Sequence, residues 1–190
     1  MPENAQSHLQ TTYYMNANGY IDHAVKYEDI TLSPLRYYTF YDNTAMDGAQ
    51  NKHIKYIYDL DAEGNVKKGY RYTNDDKQLT RIYLYYNNTK PENAQQHLQT
   101  TYYLSVDGSI DYAVKYEDNT QEMLRIYNFY PNTIMDGKHN SHIQYIYEVE
   151  DSYIISANEY EDITKKVLKL YTFKEKVKYN KDGSHWSKIL

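Results

Sequence analysis

Cysteine is absent from this chain of 190 residues, which excludes disulfides, thiol catalysis and thiolate zinc sites. No apolar run approaches the roughly 20 residues of a membrane span, and no stretch reads as a signal peptide. A formal net charge of -5 with no basic block argues against a nucleic-acid partner. Nucleophile motifs, phosphate-cradling glycine loops and paired carboxylates standing apart from the background are also missing, so the expectation is that the protein is not an enzyme. No cofactor or metal is expected. Glycine (7) and proline (4) are few. Leu, Ile, Val and Phe together supply only 36 of 190 residues, near the composition at which chains stop folding.

What fills the gap is tyrosine, present 26 times. The high net charge that accompanies disorder is absent. Tyr therefore stands in for the aliphatics, burying a large ring while its hydroxyl stays wet or finds a partner. Such a composition suits a thin structure with half-buried positions.

The chain repeats itself. PENAQSHLQTTYY from Pro2 returns as PENAQQHLQTTYY from Pro91, an offset of 89 residues. Identity holds at 21 of 29 positions between 2 to 30 and 91 to 119, and at 15 of 26 between 36 to 61 and 125 to 150. A finer period of 44 to 45 residues lies inside. His8, His53, His97 and His142 share one register, each followed by Tyr13, Tyr58, Tyr102 or Tyr147. Arg36-Tyr37-Tyr38-Thr39-Phe40 is echoed at Arg81 to Tyr85, Arg125 to Phe129 and Lys169 to Phe173. Four modules result.

Each module reads as three short strands, in the second near 35 to 41, 53 to 60 and 66 to 73. Turns carry Asn16 to Gly19, Asp61 to Asn65 and Val106 to Gly108, then Glu28-Asp29, Asn74 to Asp76, Glu117 to Asn119 and Glu161-Asp162. Longer loops open with Asn43-Thr44, Asn88-Thr89 and Asn132-Thr133 and alternate between Pro-Glu-Asn-Ala-Gln and Met-Asp-Gly contents. Thr89-Lys90-Pro91-Glu92 has capping-box spacing, which predicts a single helical turn. An odd number of strands per module makes successive modules enter from opposite edges, which accounts for loops alternating in type. A recent duplication gives the same pattern.

The fold expected is all-β, a tandem-repeat antiparallel meander of about 12 strands forming an elongated twisted sheet. The alternative is a four-bladed, propeller-like ring. The division expected is 1 to 90, 91 to 178, and a tail over 179 to 190 in which Trp186 belongs to a capping hairpin. Met1 stands where the second copy has Lys90, which suggests a monomeric piece of a longer array with neighbouring repeats.

The recurring His residues read as structural, since three strands, roughly 14 Å, separate them. His139 and His142 could share an adventitious metal at most. Asp59 to Gly64 touches the calcium-loop pattern but has Tyr70 where the bidentate Glu belongs, so a hairpin turn is the better reading. The candidate binding residues are Arg36 and Tyr38, Arg81 and Tyr83, Arg125 and Tyr127, and Tyr171. Each Tyr shares a face with its own Arg, or with Lys169. They read either as packing with cation–π support or as an aromatic platform for glycan or protein.

The texture of Tyr102 to Tyr130, YYLSVDGSIDYAVKYEDNTQEMLRIYNFY, resembles repeat segments of surface proteins from low-GC Gram-positive bacteria and mollicutes. It also resembles YD-type hairpin repeats, without their regular glycine spacing. The resemblance implies an extracellular, non-enzymatic stalk or adhesive module at the bacterial cell surface, whose ligand is host glycan, host protein or cell wall. Two further readings fit the same chain: a carbohydrate-acting enzyme on a small propeller, and an intracellular scaffold.

Overall fold

The computed structural model describes residues 10 to 178. Twelve strands follow one another in chain order. They are β1 (Thr11–Met15), β2 (Ile21–Tyr27), β3 (Pro34–Phe40), β4 (Ile54–Leu60), β5 (Val66–Tyr72), β6 (Leu79–Tyr85), β7 (Leu98–Leu104), β8 (Ile110–Tyr116), β9 (Met123–Phe129), β10 (Ile143–Glu150), β11 (Tyr153–Tyr160) and β12 (Val167–Lys178). Each pairs with its sequence neighbours, and among the described residues β1 and β12 each have a single partner. The fold is the open antiparallel meander, three strands per module; the ring is not formed. His8 and the capping hairpin expected around Trp186 lie outside the described residues.

The chain divides into two compact units, up to Gln99 and from Thr100 onward. In the N-terminal unit, pairing places Tyr37, Tyr58, Gly69 and Tyr83 in one column across β3 to β6, and Tyr38, Ile57, Tyr70 and Ile82 in the next. Adjacent columns point to opposite faces of a pleated sheet. Both faces carry a thin core. Tyr58, Val66, Tyr83, Tyr85 and Ala94 cluster on the Tyr37 face, with Tyr37, Tyr56, Leu60 and Leu98 packed against them. Ile21, Ala24, Phe40 and Ile54 cluster on the Tyr38 face. Burying a tyrosine ring removes roughly 150–250 Å² from water, so a few laterally packed rings do the work of a thicker aliphatic core.

The C-terminal unit repeats the plan. Ile126, Tyr147, Ala157 and Tyr171 form one column, and Tyr127, Ile146, Asn158 and Leu170 the next. Its main cluster is Tyr112, Val114, Ile126, Tyr147, Val149, Ile154 and Ala157.

Turn chemistry follows the residues. Gly64 and Gly108, at φ 76° and 85°, close hairpins whose Asp61 and Ser105 carbonyls accept their amide protons. In the fourth module Asp151 and Ser152, at φ 51° and 67°, make a tighter turn without glycine. The Asn-Thr pairs act as clamps. Asn43, Asn88 and Asn132 adopt φ of 61° to 64°. The hydroxyls of Thr44, Thr89 and Thr133 then donate to the carbonyls of Tyr41, Tyr86 and Tyr130 at 2.6 to 2.7 Å. Their own carbonyls accept from Ile21, Val66 and Ile110 at 2.7 to 2.9 Å, tying each long loop to the preceding hairpin.

Pro91–Gln96 is helical as the sequence predicts, but of the tighter 3-10 type, and its cap is Lys90 with no side-chain bond. The capping box is not used, because the Thr89 hydroxyl is committed to the Tyr86 carbonyl. Short 3-10 turns also occur in the Met-Asp-Gly loops, at Gln50–His53 and His139–His142.

Candidate functional site

The seven candidate binding residues are distributed over both faces. Arg36 lies with Tyr38, and Arg81 with Tyr83, but the two pairs point to opposite sides of the N-terminal unit. Arg125 with Tyr127 and Lys169 with Tyr171 divide in the same way in the C-terminal unit. Geometry requires it. A meander that reverses strand direction after three strands while advancing one way maps a module onto the next only by a half-turn about the direction of advance, which exchanges the faces.

On the Tyr38 face the guanidinium is occupied. Arg36 Nε donates to Asp59 Oδ1 at 2.9 Å, and Tyr70 donates to Asp59 Oδ2 at 2.9 Å. Arg125 Nε makes the same bond to Glu148 at 2.9 Å. These ladders of opposite charge read as sheet support. Tyr83 is buried, which pushes its hydroxyl up to about 12, while neighbouring Arg81 pulls the other way.

The Tyr37 face of the N-terminal unit carries a continuous aromatic row. Tyr14, directly opposite His23, stacks on its ring at 4.4 Å and 14°. His23 stacks on Tyr37 at 4.9 Å and 15°. The row continues through Tyr58 at 6.2 Å from Tyr37, with Tyr56 and Tyr85 each within 6.1 Å of Tyr58 and Tyr83 beyond them. Exposure falls along it, from 41% at Tyr14 to 3% at Tyr58. Rings stacked across strands stand on edge, so the exposed end presents a ridge of ring edges and polar groups, with Tyr14 41% exposed. The Tyr14 hydroxyl bonds that of Tyr27, and His23 Nδ1 meets Asp22 Oδ2 at 2.8 Å. In the C-terminal unit Tyr103 and Tyr112 stack at 4.3 Å, but Ile126 occupies the place of Tyr37 and interrupts the row.

Tyr14, His23 and Tyr37 escape the sequence reading because its Tyr series follows the strand class of Tyr38. Applying strand alternation one residue earlier, together with the odd strand number, is the signal that finds them.

The recurrent His residues join loops to turns. Carbonyls of His53, His97 and His142 accept from Tyr41, Tyr86 and Tyr130. The His53 Nδ1 lies 2.8 Å from Asn74 Oδ1 and the His142 Nδ1 2.7 Å from Asp162 Oδ1. His139 packs edge-on against Tyr102 at 5.2 Å, so it and His142 face different partners. Among the described residues no group of three or more His, Asp or Glu could hold a metal ion, and no helix is long and apolar enough to cross a membrane.

No family model matches the chain, and no curated protein does. Among solved structures it is similar to TarM, at 11% identity and a TM-score of 0.29 over 87% of this chain. A TarM mutant from S. aureus, crystallised with fondaparinux, alpha-GlcNAc-glycerol and UDP, matches at 11% and a TM-score of 0.28. The chain spans 22% of the length of each.

Proposed function

We propose that the chain is a non-enzymatic repeat module of a bacterial cell-surface protein that binds glycan along the ridge of Tyr14, His23 and Tyr37. The observation that carries this is the unbroken stacked row, exposed at its Tyr14 end. Stacking holds the rings rigid before any ligand arrives, so little conformational entropy is lost on binding. Phenol and imidazole edges offer the donors and acceptors that sugar hydroxyls match, and the exposed ring of Tyr14 can pack on a sugar's C–H surface. The cell-surface setting rests on the resemblance of the Tyr102 to Tyr130 texture to bacterial surface repeats.

A glycan array probed with the whole chain tests the reading. Binding is expected to one glycan class and to be lost in Tyr14→Ala, whose ring is exposed enough for the fold to survive its removal. An array blank for the folded chain overturns it. Reading the parent gene for a secretion signal and wall anchor tests the setting.

A further inference from the structure

At one cross-strand column the two compact units differ in charge. In the N-terminal unit it runs Thr39, Tyr56, Arg71, Arg81 across β3 to β6. Its counterpart in the C-terminal unit runs Asn128, Tyr145, Glu159, Lys169 across β9 to β12. There the Glu159 carboxylate accepts from the Tyr171 hydroxyl at 2.6 Å and from Lys169 Nζ at 3.3 Å, with Tyr145 directly opposite on the neighbouring strand. Tyr171 foremost, then Lys169, hold the carboxyl below its usual range. This half of the chain therefore contains a carboxylate cradle already filled by its own side chain.

The N-terminal unit keeps the cradle without its carboxylate. Tyr56, Arg81 and Tyr83 correspond to Tyr145, Lys169 and Tyr171, and Tyr83 bonds to Arg81. Arg71 stands where the carboxylate should be, and its guanidinium carbon lies 5.9 Å from the centre of the Tyr56 ring. Lys55 Nζ approaches the same ring at 5.9 Å. Two arginines directly opposite on one face repel, and like charges so placed weaken a sheet. No carboxylate lies within ion-pair distance of Arg71 among the described residues. The chain as a whole carries -5, so this concentration of positive charge is local. It sits on the same face as the aromatic ridge, partly open to water.

We propose that Lys55, Arg71, Arg81 and the Tyr56 hydroxyl bind the carboxylate of an acidic sugar, in the position Glu159 fills internally in the other unit, with Tyr83 positioning Arg81. The proposal rests on the glycan reading of the Tyr37 face and names the sugar class as uronic. A guanidinium pair matches a carboxylate's two oxygens, and an anion bound between Arg71 and Arg81 offsets their mutual repulsion.

Calorimetric titration of the whole chain with galacturonate oligomers, and with the same oligomers methyl-esterified, provides the test. The acidic form is expected to bind at least about tenfold more tightly than the neutral ester. Arg71→Glu rebuilds the filled cradle and is expected to abolish that preference while leaving the melting temperature equal or higher. Equal binding of acid and ester overturns the anion site and leaves the glycan ridge standing. Preference for acid that persists in Arg71→Glu also overturns it. Monomeric galacturonate bound by the parent chain and lost in Arg71→Glu, with every neutral glycan blank, supports the anion site and removes the ridge.

Discussion

Gly69 and Tyr85 show how single residues are tuned to one another. A β-carbon added at Gly69 would lie 2.5 Å from the Tyr85 hydroxyl, 3.0 Å from its ring and 3.2 Å from Tyr58. The C-terminal unit solves the same packing with the opposite choice, Ala157 with Phe173 in place of Gly69 with Tyr85. The extra methyl is accommodated where the hydroxyl is missing. The Tyr85 hydroxyl is buried and makes no hydrogen bond among the described residues. Gly69→Ala alone is therefore expected to cost about 1–3 kcal/mol by overpacking. Tyr85→Phe alone should be neutral or stabilising, because it deletes an unsatisfied buried group. In the double variant most of the loss should return, and chemical denaturation of the four species measures the coupling. Strictly additive effects would show that the clash is relieved elsewhere.

At the scale of elements, the four turns that lead from the last strand of a module into the strand after it share one backbone and differ in how well their residues suit it. Ile30, Asp75, Asn119 and Ile163 occupy the same left-handed position, at φ from 65° to 75°. Asp and Asn tolerate that region, whereas a β-branched side chain crowds its own backbone there. Ile163 is 68% exposed, so its side chain contributes little packing in return. Ile163→Asn is expected to raise unfolding free energy by about 1 kcal/mol, read from denaturant midpoints at unchanged slope. A loss of stability would mean that the Ile163 side chain contributes more than its exposure suggests. Elements of this kind were legible in the sequence, since Tyr, Ile and Thr alternation placed the second module's strands within one or two residues of β3, β4 and β5. The 3-10 turns of the Met-Asp-Gly loops were not legible, because neither Gln50–His53 nor His139–His142 carries a side-chain cap that would announce a helix.

For the molecule as a whole, strand number per module decides what the repeats can present. Three strands per module were readable from the sequence, but their consequence, that Tyr38 and Tyr83 face opposite ways, appears only when register is followed across β3 to β6. Neither face can then be wholly oily or wholly wet, and half-buried tyrosine is the residue that satisfies both. That dependence has a price at high pH. Burial pushes the hydroxyls of Tyr83, Tyr102 and Tyr147 up to about 12 and that of Tyr58 higher still. Unfolded tyrosine ionises near pH 10. The folded form therefore binds the proton more tightly, and the stability this confers is complete below pH 10 and lost as pH rises through 12. A two-unit difference corresponds to about 3 kcal/mol per group, so three such groups approach the whole margin of about 5–15 kcal/mol that holds a domain folded. Alkaline titration followed by phenolate absorbance and far-ultraviolet circular dichroism should show the buried phenols ionising together with loss of sheet signal, in one steep step between pH 10 and 12. Gradual ionisation with the sheet signal intact through pH 12 would show instead that the rings are reached by hydroxide in the folded sheet, and that tyrosine burial is not what holds it together.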